Sequence, residues 1–281
     1  MKVVQTIHEL RKEVERMKKE GLTIGFVPTM GFLHEGHLTL IERAKLENDQ
    51  VVLSIFVNPL QFGPNEDFET YPRDLKRDEK LAAEKGVNLI FAPSVKEMYP
   101  HELSVSVHVK KRVNVLCGRK REGHFDGVAT VLTKLFHLIE PNRAYFGMKD
   151  AQQVAVVDGL IKDFHFPIEL VPVETVREED GLAKSSRNVR LLPEERKEAR
   201  HLYQSLILAK ELIECGERNP ETIIKKMEAY LKEHVRGKID YIEIYSYPEL
   251  LPIHTLKGTF IIALAVRFQN ARLIDNITMV I

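Results

Sequence analysis

The sequence predicts an α/β protein: a Rossmann-like, doubly wound parallel sheet followed by a second, smaller α+β domain. Three observations lead there. Over residues 1–176, short apolar runs alternate with segments of helical periodicity. Those apolar runs are continuous rather than alternating, as parallel strands covered on both faces require. Beyond residue 176 the order changes to two helices and then two strand-like runs. A chain of 281 residues suits two domains, placed at 1–176 and 177–281.

The elements follow in order. An amphipathic, charge-laced N-terminal helix precedes an apolar strand near 23–27 and a helix near 35–47. A strand at 51–57 leads into a long polar loop, a helix near 73–85 and a short strand at 88–91. A helix near 125–140, a strand at 143–146, a helix near 150–163 and a strand at 168–173 complete the first domain. Right-handed crossovers make such strands a doubly wound sheet, whose ligands bind beyond the strand carboxyl ends. In the second domain Pro193 opens a helix to Leu212, and Asn219-Pro220 opens another. Strand-like runs at 239–245 and 259–268 precede a short tail at 277–281.

Composition narrows the function. Lys plus Arg and Asp plus Glu are both 41, so the basic excess of a nucleic-acid-binding domain is missing. The basic stretches Lys110-Lys111-Arg112 and Arg119-Lys120-Arg121 read as solvated loop. Cys117 and Cys215 are the two cysteines, which gives neither a disulfide framework nor a zinc ribbon and fits a reducing compartment. The N-terminus lacks the pattern of a signal peptide, and the longest apolar run, 260–266, is too short to span a bilayer. A cytoplasmic protein with no membrane partner is expected.

The chemistry concentrates at 24–40, IGFVPTMGFLHEGHLTL. A strand that turns over glycine into a helix N-terminus favours an anion, through first-turn N–H groups and the macrodipole. His34 and His37, three apart, share a helix face there. A zinc site is disfavoured, since no further Cys or His lies nearby and the spacing is not that of a zinc protease. The segment reads as a nucleotide-phosphate site. In the loop NPLQFGP, Asn58 and Gln61 offer neutral hydrogen-bonding groups. In FGMKD, Asp150 suits a helix N-cap, while Lys149 and Gln153 face one way. REEDGLAKSSRN, 177–188, sets Ser185, Ser186 and Arg187 side by side, apt donors for phosphate oxygens. GHFDG, 123–127, reads as a simple helix cap.

Taken in order, PTMGFLHEGH, FVNPLQFGPNED, YPRD, GRKREGHFDGVATV, YFGMKDAQQ and REEDGLAKSSRN resemble the pantothenate synthetase (pantoate–β-alanine ligase) family over essentially the whole chain. That family belongs to the H-x-G-H nucleotidyltransferase superfamily shared with class I aminoacyl-tRNA synthetases. The resemblance implies ATP-dependent ligation of pantoate and β-alanine through a pantoyl adenylate. It places ATP against Met30, Gly31, Phe32, Leu33, His34, Glu35, Gly36 and His37, with His37 and His34 catalytic on the phosphates. Gly147, Met148, Lys149, Asp150, Val176, Lys184, Ser185, Ser186 and Arg187 complete the ATP site. Gln61 and Gln153 bind pantoate, Gln61 also borders β-alanine, and Asp78 and Tyr71 fall at further active-site positions. Lys184 stands where family members commonly carry Met or Leu. Mg²⁺ is expected with ATP and a homodimer is suggested. The alternative is another H-x-G-H adenylyltransferase with a different acceptor. Because an acyl adenylate is destroyed by water, segments 63–71 and 177–188 are expected to close over it.

Overall fold

The computed structural model describes residues 1–64, 66 and 68–281; Asn65 and Asp67, within the loop expected to close, lie outside the described residues. The chain divides into two compact units. One comprises Met1–Val113, Gly118–Gly147 and Val156–Val173, the other Asn114–Cys117, Met148–Ala155 and Glu174–Ile281. Two short segments that lie in sequence between parts of the first unit therefore group with the second.

The first unit is built on a six-stranded sheet. Its strands are β1 (Lys2–Val4), β2 (Ile24–Thr29), β3 (Gln50–Ile55), β4 (Leu89–Phe91), β5 (Arg143–Gly147) and β6 (Glu169–Val173). The order is β1-β4-β3-β2-β5-β6, and every pairing is parallel. The chain winds outward from β2 through β3 to β4, then restarts on the other side at β5. The carboxyl ends of β2 and β5 thus form the topological switch point, where open α/β sheets bind ligands.

The helices are α1 (Ile7–Lys19), α2 (Glu35–Glu47), α3 (Leu75–Glu84), α4 (Val95–Met98), α5 (His124–Ile139) and α6 (Ala151–Asp163). Thr6 caps α1 in a reciprocal capping box with Glu9. Leu40, Ile41 and Ala44 of α2 recur at helical spacing and pack on Val27, Val51, Leu53 and Ile90. On the opposite sheet face the Phe26 ring meets Phe136 of α5 edge-on at 6.3 Å. Strands covered on both sides have no polar face to show, hence their continuous apolar runs. Each fully buried Leu, Ile or Phe contributes roughly 1.5–3 kcal/mol.

In the second unit α7 (Pro193–Glu214) and α8 (Pro220–His234) pack on an antiparallel sheet in the order β7-β8-β9. These strands are β7 (Lys238–Ser246), β8 (Thr259–Arg267) and β9 (Arg272–Val280). Asn219 caps α8 by accepting from the Glu221 and Thr222 amides. The expected tail at 277–281 is not a separate segment: residues 277–280 continue a strand that begins at Arg272. Its pattern is broken by Asp275 and Asn276, both buried.

Candidate active site

The strand-to-helix turn after β2 is built by a carboxylate 46 residues away in sequence. Thr29 Oγ1 donates to the Ser54 carbonyl at 2.8 Å and accepts from Gly31 N at 3.2 Å. Gly31 and Phe32 then both take positive φ, 84° and 52°. Gly31 needs its freedom twice over, because a Cβ there would lie 2.9 Å from Ile55 and 3.0 Å from Asp78. Asp78, on the first turn of α3 and 1% exposed, accepts from Phe32 N at 2.7 Å and Leu33 N at 2.8 Å. Burial pushes its carboxyl up from the ordinary aspartate range, against the downward pull of those two amides and Arg77. The Arg77 guanidinium lies 4.9 Å over the Phe32 ring.

His34 is the N-cap of α2, a position usually held by Ser, Thr, Asp or Asn. Its Nδ1 accepts from Gly36 N at 3.1 Å, and His37 Nδ1 accepts from His34 N at 3.4 Å. A Cβ on Gly36 would come within 2.9 Å of the His34 ring, so the glycine of H-x-G-H makes room for the imidazole. The rings lie 4.1 Å apart, tilted by 33°. With both Nδ1 atoms accepting, the neutral rings carry their protons on Nε2. The helix start thus presents two adjacent imidazoles, each able to donate from Nε2.

The expectation that open first-turn amides face an anion changes in one respect. The amides of Gly31, His34 and Gly36 donate within the turn, and those of Phe32 and Leu33 donate to Asp78 of α3. The two imidazoles and the positive end of the helix dipole favour an anion at this position.

Gln61 is brought to the same place from β3. Asn58, 1% exposed, caps a 3-10 turn, Pro59–Gln61, by accepting from Leu60 N at 3.3 Å. Its Oδ1 also accepts from Tyr99 Oη at 2.8 Å, and its Nδ2 donates to Gly127 O at 3.1 Å and Gln61 Oε1 at 3.2 Å. Burial pushes the Tyr99 phenol far up, so it stays a donor. Gln61 Nε2 in turn donates to Met30 Sδ at 3.2 Å. Asn58 thus serves as scaffold, and the Gln61 amide is oriented towards Met30. Tyr71 is buried against the Phe62 ring, and Arg73 donates to the Phe68 and Tyr71 carbonyls at 3.0 and 3.1 Å, so the far end of segment 63–71 is tied down.

The remaining expected residues lie at or beyond the end of β5. Gly147 ends that strand, and Met148, Lys149 and Asp150 form a 3-10 turn leading straight into α6. In the second unit Asn276 Nδ2 donates to the Met148 and Lys149 carbonyls at 3.0 and 2.9 Å. Lys149 Nζ lies 3.8 Å from the Asp150 carboxylate. Gln152 is buried and donates to Val115 O at 2.8 Å, whereas its neighbour Gln153 is half-buried.

Segment 177–188 is a tethered hairpin rather than a loose polar strap. Arg177 makes a bidentate pair with Asp275 at 2.7 and 3.0 Å, and its guanidinium stacks 3.7 Å over Tyr203. Asp180 pairs with Arg196 at 2.6 Å, and Leu182 is buried in the second unit's core. Lys184 N donates to Val176 O at 2.9 Å, and Lys184 Nζ lies 3.0 Å from Glu178 Oε2. Ser185 Oγ accepts from Arg187 N at 3.2 Å; Ser186 and Arg187 are half-buried. The ion pair predicts that Lys184→Met changes the ATP KM less than about threefold, the scale of a partly exposed pair. A tenfold rise in steady-state assays would show that the cation reaches phosphate.

Sequence reasoning missed Asn276, Asp275 and the Arg177 anchor. The one signal was the pair of polar residues inside an apolar strand pattern.

Relatives agree with this architecture. Residues 2–278 match the model of the pantoate-beta-alanine ligase family. The chain is 67% identical over 279 residues to the pantothenate synthetase of Geobacillus sp. (strain WCH70), covering 99% of each. It is 61% identical over 277 residues to that of Bacillus subtilis (strain 168), covering 99% of this chain and 96% of the relative. The crystal structure of pantothenate synthetase from Thermus thermophilus superposes with a TM-score of 0.93 at 48% identity, covering 99% of both chains. The pantoate-beta-alanine ligase from Francisella tularensis, complexed with β-γ ATP and β-alanine, gives 0.81 at 35% identity, covering 99% of this chain and 97% of that one. A match of this extent decides against an adenylyltransferase with another acceptor. The chain belongs to the pantoate-beta-alanine ligase family.

Proposed function

We propose that, in the ATP-dependent ligation of pantoate and β-alanine to pantothenate, His34 and His37 meet the phosphates while Gln61 and Gln153 hold pantoate. A pantoate carboxylate oxygen attacks the α-phosphorus, forming pantoyl adenylate and releasing pyrophosphate. The β-alanine amine then attacks the activated carbonyl, loses a proton and expels AMP. The observation that carries this division is the pair of imidazoles at the sheet's switch point, their Nδ1 atoms engaged by main-chain amides, beside the oriented Gln61 amide. Donors aimed at the charge that grows on pyrophosphate lower the barrier of the first step.

Met30, Gly31, Phe32, Leu33, Glu35 and Gly36 shape the nucleotide's seat around the two histidines. Gly147, Met148, Lys149, Asp150, Val176, Lys184, Ser185, Ser186 and Arg187 are proposed to meet the same ATP. Magnesium enters as part of the nucleotide, held mainly by phosphates and water. Among the described residues no cluster of three or more His, Cys, Asp or Glu could bind a metal alone. A homodimer and a cytoplasmic location complete the proposal. No described helix is long and apolar enough to cross a membrane.

Neutral amides suit pantoate, because its carboxylate loses its charge on adenylation and a strong cation would favour the ground state. Gln153→Ala is expected to raise the pantoate KM about tenfold, the scale of one lost hydrogen bond to a charged group. ATP affinity by calorimetry should be unchanged; the reverse pattern would remove Gln153 from the pantoate site. The chemical course is tested with pantoate labelled by ¹⁸O in its carboxylate. One label should appear in AMP, and unlabelled AMP would overturn the adenylate.

A further inference from the structure

The segment GHFDG, which as sequence is only a helix cap, makes a connection that capping does not explain. Gly123 opens α5 in the left-handed region at φ 73° with no side-chain cap bond. The His124 ring turns instead towards Gln61. Its Nδ1 lies 2.7 Å from the Gln61 carbonyl oxygen and its Nε2 lies 2.9 Å from Arg121 Nη1. A guanidinium can only donate, so Nε2 must accept and the proton must sit on Nδ1. In that arrangement His124 Nδ1 donates to the Gln61 carbonyl.

Arg121 is fixed from its other side. Its Nε and Nη2 donate to the two carboxylate oxygens of Glu66 at 2.7 and 2.6 Å. This fork-to-carboxylate geometry is rigid as well as strong. Nη2 also approaches the Gln61 carbonyl at 3.4 Å. Below, the 3-10 turn sits directly on α5 at Gly127, where a Cβ would come 2.2 Å from Leu60 O and 2.7 Å from Gln61 N. Glu66, Arg121 and His124 thus form a chain of contacts that ends on the main chain of Gln61.

We propose that His124 and Arg121 are positioning residues for Gln61, and that Glu66 anchors them. They fix the main chain of Gln61, while Asn58 and Met30 fix its amide. Together these contacts set the direction in which the amide meets the acyl substrate. The proposal rests on Gln61 contacting pantoate, as argued above.

Steady-state kinetics on the full chain test it. His124→Leu should raise the pantoate KM about tenfold, the scale of one hydrogen bond, with ATP affinity unchanged. His124→Asn should recover most of that loss, since Asn Nδ2 can reach the same carbonyl. Arg121→Lys keeps the charge but not the fork and should move the pantoate KM in the same direction. It also serves if the leucine variant does not fold. Gln61→Ala separates the two readings. If it raises the pantoate KM while His124→Leu and Arg121→Lys do not, the positioning role is wrong and the Gln61 assignment stands. If Gln61→Ala itself leaves the pantoate KM unchanged, the Gln61 assignment fails first. In the double variant His124→Leu/Gln61→Ala, a KM no higher than that of Gln61→Ala supports positioning through Gln61, and additive effects overturn it. A fall in kcat and melting temperature alone, with the pantoate KM constant, would mean a merely structural role.

Discussion

His37→Ala is expected to slow pantoate-dependent exchange of pyrophosphate into ATP by about 100–1000-fold, the usual cost of removing one donor to a developing charge. The fold should survive. The lost cap contact is the long 3.4 Å bond from His34 N, and the other His34 contacts, to Gly36 N, His37 N and Leu38 N, remain. His37→Gln should recover part of the rate, because its amide can still donate from near the Nε2 position. Exchange close to wild type in the alanine variant would remove His37 from the phosphate chemistry.

The second large effect is structural and falls on the second unit. Asp275 has a side chain 1% exposed, and Arg177 is its charge partner at 2.7 Å. Arg177→Ala leaves that carboxylate uncompensated, which costs about 3–5 kcal/mol in comparable buried pairs. It also frees segment 177–188, since the same guanidinium donates to Gly181 O at 3.0 Å. Burial already holds the Asp275 carboxyl above its ordinary range, with Arg177 pulling it down. Removing Arg177 pushes it further up. A carboxyl raised in the folded state stabilises that state while protonated and loses the benefit as pH rises. The variant's deficit in calorimetry should therefore grow from pH 5 to pH 8. Arg177→Ala/Asp275→Asn should restore part of the stability, because no buried charge is then left alone. A deficit below about 1 kcal/mol at pH 8, the range of surface pairs, would contradict this role for the pair.

The layout of the sheet was legible because its central strands, β2 to β5, are buried on both faces and its helices recur at 3.6 residues. The elements that escaped had physical reasons to do so. β1 and α4 are too short, at three and four residues, to establish a period. β9 carries Asp275 and Asn276 in its middle, residues that hold Arg177 and the Met148–Lys149 carbonyls. A strand that buries polar groups for a local purpose stops looking like a strand.

The site divides in the same way. H-x-G-H was readable because its parts are contiguous: a cap, a glycine that clears the ring, and a second imidazole one turn on. Asp78 as the brace of that turn was not, since its partner amides lie 45 and 46 residues away. The amides themselves were read as open. That assumption fails wherever a side chain from another element supplies the acceptor. His124 was hidden for the same reason, its partner being 63 residues distant.

In the proposed mechanism adenylation precedes amide formation. Pyrophosphate exchange into ATP by the wild-type enzyme, with pantoate present and β-alanine absent, tests that most directly. Exchange should require pantoate and proceed without β-alanine. Exchange that requires β-alanine, or that proceeds without pantoate, would contradict it.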